Sequence, residues 1–277
     1  MPEGQKFPRS RFDLLALDLD DTLLRHDLSI HPDDLEAIQQ AEKSGVRVVL
    51  ATGRGPQGMS RFWPALGMDT RPSYAVAYNG ALVLRTDTSE ILFQENLDED
   101  IARQVAQECV RLGYPIQTYR VDEILVSKKN DWTERDTYLT GIPNRLAGLD
   151  EICHPAPIKL IVPAEPEALV KLAQNFKERW GNAGHFLISK PYFMEILSPL
   201  ADKGLALAHL AAILGVPRDR VMAVGDAMND EGMLRWAGWG VAVANALENV
   251  KDIADAVTEK DHNNAGVSEA INRWILG

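Results

Sequence analysis

Cysteine is nearly absent from this chain, with two residues, Cys109 and Cys153, in 277. Two thiols cannot build a disulfide framework, and these lack the close spacing of metal-binding pairs. Buried thiols in a reducing compartment are the plain reading, which points to the cytoplasm. Long apolar runs are missing as well. No stretch approaches the roughly 18 uninterrupted apolar residues of a membrane helix, and Met1–Arg11 carries basic residues without the apolar run of a signal peptide. Positive charge is in deficit, with 29 Lys and Arg against 40 Asp and Glu and a net charge of −11. Such a surface repels a phosphate backbone and argues against nucleic acid as the principal ligand. A small phosphorylated metabolite stays admissible, because a divalent cation neutralises it locally. No internal repeat or low-complexity tract occurs, and the six histidines show no metal-ligand spacing. Oligomeric state is not legible.

What is present is alternation. Phe12–Leu19 contains the consecutive apolar residues Leu14, Leu15, Ala16 and Leu17, which suits a strand buried on both faces of a parallel sheet. A helix is expected over Pro32–Lys43, with Pro32 and acidic residues in its first turn and Gly45 after its end. Strands follow at Val46–Ala51 and Tyr74–Ala77, with a helix near Gln57–Leu66 between them. From Val83 to Met194 the texture changes to short, more polar strands, with amphipathic helices at Asp98–Leu112 and Glu165–Trp180. The alternation then resumes with the helix Lys203–Leu214, the strand Arg220–Val224, the helix Asp230–Trp236 and the strand Gly240–Val243. The expected fold is α/β: a doubly wound, Rossmann-like parallel-sheet core over residues 1–82 and 195–277, with an α+β cap inserted over 83–194.

Four constellations carry chemistry, each with a bland counterpart. In Asp18-Leu19-Asp20-Asp21-Thr22, ending the first strand, Asp18 and Asp20 can face one site by the two-residue period of extended chain. An acidic strand-to-turn transition would look the same. Thr52-Gly53-Arg54 after the second strand offers a hydroxyl and a close backbone approach for a phosphate oxygen, and an arginine that could steer the ligand or pair with an acid, yet many strands end in such turns. Lys203 opens a helix, where the macrodipole disfavours a cation, which hints at a task elsewhere; an ordinary solvated lysine is the alternative. Gly225-Asp226-Ala227-Met228-Asn229-Asp230 gathers oxygen-bearing side chains beyond a buried strand, suited to a hard cation, although Asp230 could serve only as a helix cap. All four fall at strand ends or the following helix starts, which a doubly wound sheet collects along one edge. A nucleophile, a second carboxyl group, groups for phosphate oxygens and an acidic metal site together fit phosphoryl transfer.

At these residues the chain resembles the haloacid dehalogenase superfamily, in particular its Cof-type phosphatases. The resemblance runs through the four motifs in order and extends to Tyr78-Asn79-Gly80-Ala81, Val241–Ala246 and Asn264–Val267. It implies a phosphoric monoester hydrolase dependent on Mg2+ that passes through an aspartyl-phosphate. Asp18 would be the nucleophile and Asp20 the general acid and base. The ion would take Asp18, the backbone carbonyl of Asp20 and Asp226, supported by Asn229 and Asp230. Thr52 and Lys203 would hold the phosphoryl oxygens, with Gly53, Arg54 and Asn79 as further substrate contacts. Asp21 stands where many members carry Gly. In the cap, which would select the leaving group, Ser189 and Lys190 are candidate contacts. The substrate would be a sugar phosphate or a flavin or pyridoxal cofactor phosphate. A phosphomutase or phosphotransferase on the same scaffold, and a non-catalytic sugar-phosphate sensor, are the alternatives.

Overall fold

The computed structural model describes residues 11–120 and 122–277. Met1–Ser10, within the segment read as lacking a leader's apolar run, lie outside the described residues. The chain divides into two compact units, one running up to Phe93 and resuming at Asp202–Gly277, the other Gln94–Ala201. In chain order the strands are β1 (Leu14–Leu17), β2 (Arg47–Ala51), β3 (Tyr74–Ala77), β4 (Leu82–Arg85) and β5 (Ile91–Gln94). There follow β6 (Gln117–Tyr119), β7 (Ile124–Val126), β8 (Asn144–Leu146), β9 (Lys159–Pro163), β10 (His185–Lys190) and β11 (Phe193–Leu197). The last are β12 (Val221–Gly225), β13 (Trp239–Ala242) and β14 (Ala256–Val257).

The first unit's sheet has the order β14-β13-β12-β1-β2-β3-β4-β5. Pairing is parallel from β14 through β3 and turns antiparallel at β4. Every residue of β1 is buried, because both faces of this central strand are covered. Leu14 and Ala16 share a core with Val49, Val76, Leu207 and Leu210. Strand order reverses between β1 and β12: later strands stack outward from β1 on one side and from β12 on the other. A doubly wound sheet opens its ligand crevice beyond the carboxyl ends at such a switch point.

Local signals set the helices. Pro32–Lys43 has Pro at its first turn, and the His31 ring accepts a hydrogen bond from the Asp33 N–H as N-cap. Lys203–Leu214 is capped by Asp202, whose carboxylate accepts from the Leu205 N–H at 2.9 Å, and is closed by Gly215 in the left-handed region. The helix expected near Gln57–Leu66 is instead two short ones, Pro56–Ser60 and Trp63–Leu66. Pro64 cannot donate to a continuing ladder, and the chain restarts there.

In the second unit the sheet order is β10-β11-β9-β6-β7-β8, antiparallel apart from β7 with β8. The helices Glu99–Arg111 and Pro166–Trp180 bury Val105, Cys109, Leu172 and Phe176 against it. Cys109 and Cys153 are both buried free thiols. The division differs from the sequence expectation of 83–194 at both ends. β4 returns on β3 and joins the first sheet with β5, while β11 pairs with β9 and β10 in the second. A short strand carries no mark of which sheet will take it. Among the described residues, no helix is long and apolar enough to cross a membrane.

Candidate active site

β1 and β12 run in register, Leu17 beside Val224, so the residues just past their ends meet at the switch point. The Asp18 N–H donates to the Val224 carbonyl at 3.0 Å, which carries the pairing one residue further and buries the Asp18 side chain. Lys203 reaches this point from the start of its helix and is fully buried. Its Nζ donates to Asp18 Oδ1 at 2.7 Å and to Asp230 Oδ1 at 2.6 Å. This answers the oddity of a cation at a helix N-terminus: the charge serves two buried carboxylates rather than solvent. The other oxygen of Asp230, Oδ2, accepts the backbone N–H groups of Asp226 at 2.9 Å and Ala227 at 3.1 Å. Asp230 thus shapes the loop that presents Asp226. A Cβ at Gly225 would lie 2.6 Å from the Cβ of Asp230, so glycine is what lets strand and carboxylate approach.

Thr22 closes the group from the first loop. Its Oγ1 donates to Asp226 Oδ1 at 2.8 Å, joining segments 204 residues apart. No spacing rule announces so distant a partner for Thr22.

Asp18, Asp226 and Asp230 bring carboxylate oxygens within 4.8 Å of one another, against the single positive charge of Lys203. Burial, followed by the charges of Asp230 and Asp226, raises the Asp18 pKa well above the carboxylate range, with Lys203 pulling the other way. Burial and Asp230 push Asp226 up to about 7. Burial works against the Lys203 ammonium, but Asp18 and Asp230 outweigh it and hold its pKa above that of ordinary lysine. An all-oxygen donor set with more negative charge than its surroundings offset suits a hard divalent cation, and Mg2+ fits these residues.

The second motif lies beside the first. Thr52 is buried at the end of β2, and its Oγ1 accepts from the Arg54 N–H at 3.2 Å. The Arg54 guanidinium grips Asp20, with Nε donating to Oδ2 at 2.7 Å and Nη2 to Oδ1. That pairing raises the Arg54 pKa. Asp20 is therefore half-exposed and held as a hydrogen-bond acceptor. Tyr78, Asn79 and Gly80 have consecutive positive φ angles of 51°, 54° and 101°, a left-handed run that two non-glycine residues adopt only under constraint. The Asn79 N–H donates to the Thr52 carbonyl at 3.0 Å, and Asn79 Oδ1 accepts from Asn229 Nδ2 at 3.0 Å. Asn79 is thereby set between the second and fourth motifs, and a Cβ on Gly53 would come within 3.0 Å of its Oδ1.

Asp18, Thr52, Lys203, Asp226 and Asp230 are buried or half-buried in the first unit, together with Asp20, Gly53, Arg54 and Asn79, while Asn229 is exposed beside them. Ser189 and Lys190 belong to the second unit, exposed on β10 beside a register shift between Ile188 and Lys190. The sequence offered no sign of the Asn79–Asn229 bond, which depends on the left-handed turn.

Comparison with known proteins places the chain in a family. Residues 15–271 match the family model for haloacid dehalogenase-like hydrolases. A phosphoglycolate phosphatase from Natronomonas pharaonis is 32% identical over 262 residues, covering 94% of this chain and 96% of its own. The 5-amino-6-(5-phospho-D-ribitylamino)uracil phosphatase YitU of Bacillus subtilis is 26% identical over 280 residues, covering 95% and 97%. Among solved structures, a haloacid dehalogenase-like hydrolase from Bacteroides thetaiotaomicron superposes with a TM-score of 0.82 at 30% identity, covering 95% of this chain and 99% of that one. With a buried carboxylate cluster at the switch point of a doubly wound sheet, and a family match over nearly its whole length, this chain belongs to the haloacid dehalogenase-like hydrolases.

Proposed function

We propose that this hydrolase removes the phosphoryl group from small phosphate monoesters with Mg2+, through an aspartyl-phosphate on Asp18. The observation that carries the reading is Lys203, fully buried and bonded to both Asp18 and Asp230 where β1 and β12 end. When bound, Mg2+ neutralises charge on the phosphoryl oxygens and the carboxylates, held by Asp18, the Asp20 carbonyl and Asp226 with Asn229 and Asp230 behind them. Lys203 fixes Asp18 Oδ1, which leaves Oδ2 as the oxygen that attacks phosphorus while the bond to the leaving alkoxide breaks. Lys203 and the Thr52 hydroxyl hold the transferring oxygens, with Gly53, Arg54 and Asn79 completing the cradle. Asp20 gives its proton to the alkoxide, then takes one from the water that hydrolyses the aspartyl-phosphate. For the first step Arg54 has to release Asp20, since the doubly bonded form favours the ionised carboxylate.

The second unit acts in this reading as the cap that selects the leaving group, with Ser189 and Lys190 as contacts. The names of the relatives, one for a phosphorylated two-carbon acid and one for a phosphorylated ribityl compound, support small phosphorylated metabolites, including sugar and cofactor phosphates, as substrates. The buried free thiols accord with work in a reducing cytoplasm. Hydrolysis of para-nitrophenyl phosphate with and without Mg2+ tests the reading. Activity is expected only with the ion, and lost in Asp18→Asn. Unchanged turnover in that variant would remove Asp18 from the chemistry.

A further inference from the structure

Outside the carboxylate cluster, a second set of ligating atoms comes together in the first unit from segments far apart in the chain. Asp21 and His26 follow β1, and His262 lies in the loop before the last helix, 236 residues beyond His26. His262 Nε2 stands 3.3 Å from His26 Nδ1 and 3.5 Å from Asp21 Oδ1, and His26 Nδ1 stands 3.9 Å from that same oxygen. We propose that Asp21, His26 and His262 form a binding site for a borderline divalent cation such as Zn2+, distinct from the oxygen-lined cluster of Asp18, Asp226 and Asp230.

Three observations support the assignment. The first is size. Ligand atoms about 2.0–2.1 Å from a tetrahedral Zn2+ are about 3.3–3.5 Å from one another, and the two shorter separations here match that edge, with the third slightly longer. The second is donor type. Two imidazoles and a carboxylate suit Zn2+ and its neighbours in the transition series, whereas Mg2+ favours oxygen alone. The third is crowding around His262 Nε2. That nitrogen carries one proton or one lone pair, yet His26 Nδ1 and Asp21 Oδ1 both face it. A bare pair of facing imidazoles can share only one hydrogen bond. A cation accepts both lone pairs and offsets the carboxylate charge together.

The setting provides both rigidity and access. His262 is buried, and its N–H donates to Asn245 Oδ1 at 3.0 Å while Asn245 Nδ2 donates to the Asp21 carbonyl at 2.7 Å. Asn263 Oδ1 accepts the His26 N–H at 3.2 Å. The loops are thus already tied in the right register. The Asp21 and His26 side chains are largely exposed, which gives an ion its path and leaves a fourth position to water. The bound ion would clamp the turn that follows Asp20 to the loop preceding the last helix.

Calorimetric titration of the full chain with Zn2+, in saturating Mg2+ to fill the oxygen-lined cluster, tests the site. The expected result is one Zn2+ per chain under those conditions. His26→Ala, which removes an exposed ligand, should weaken binding on the order of tenfold or more and leave Mg2+-supported hydrolysis without Zn2+ unchanged. Nitrogen NMR of the histidine rings should show Zn2+ moving the Nδ1 signal of His26 and the Nε2 signal of His262, while His31 and His209 stay still. His262→Gln should weaken binding likewise, and if it fails to fold, His26→Ala decides alone. Zn2+ binding that vanishes in saturating Mg2+, or that His26→Ala retains at wild-type strength, would overturn the assignment.

Discussion

Lys203 concentrates the physics of the site in one side chain. It has no solvent exposure and bonds to two buried carboxylates, so removing its charge leaves Asp18 and Asp230 facing each other without compensation. Breaking a buried pair from one side costs about 3–5 kcal/mol, and Lys203→Met is expected to lose that much in urea denaturation without Mg2+. The same variant should lose on the order of a hundredfold or more in kcat/KM, because in the proposed mechanism the cation also holds the transferring phosphoryl group. Thr22→Val makes a gentler probe. It keeps the shape of a fully buried side chain but removes the hydrogen bond to Asp226. Mg2+ should bind about 10–100-fold more weakly by titration, as when other outer partners of a metal ligand are lost. Undiminished Mg2+ affinity would mean that Thr22 does not orient Asp226.

At the scale of elements, the two ends of the first unit meet through Asp34. It lies in the first turn of Pro32–Lys43, where its Oδ1 accepts the Ser268 N–H at 2.6 Å from the helix Gly266–Ile271. Its Oδ2 is buried with no hydrogen-bond partner among the described residues, and burial pushes the pKa up to about 7. A carboxyl group that holds its proton more tightly folded than unfolded lowers stability as pH rises from its ordinary pKa to its folded one. Asp34→Asn retains the carbonyl acceptor but cannot ionise. Its Tm relative to wild type should therefore rise from pH 4 to pH 7 and then level off, by an amount on the order of several degrees. A pH-independent difference would show that Asp34 does not titrate in that window. Elements were also what the sequence disclosed best. The apolar run of β1, the Pro32 start of its helix and the whole span Lys203–Leu214 were legible, because each depends on neighbours in sequence. β11 was not read as a strand and β4 was given to the insertion, since strand membership is decided by partners far along the chain.

Over the whole molecule, the winding of one sheet brings together residues that no local pattern connects. The motifs at Asp18, Thr52, Lys203 and Asp226 could be read as strand ends and helix starts, and the order β14-β13-β12-β1-β2-β3 then sets β12 against β1. What could not be read were the side-chain partners: Arg54 gripping Asp20, Asn229 reaching Asn79, and the histidines meeting across 236 residues. Each depends on loop geometry that only the folded chain fixes. Mg2+ that binds the folded site alone should raise stability by about 2.7 kcal/mol at a concentration about 100 times its Kd. Thermal melts with Mg2+ and with a chelator read that difference, and an Asp18→Asn, Asp226→Asn double variant should lose most of it. The most direct measurement is acid quench of the enzyme during turnover of a phosphate monoester, followed by mass analysis of its peptides. One phosphoryl group should appear on the peptide containing Asp18 and be absent from Asp18→Asn. Turnover with Mg2+ that leaves that peptide unmodified, or a phosphoryl group carried by a different residue, would contradict the mechanism.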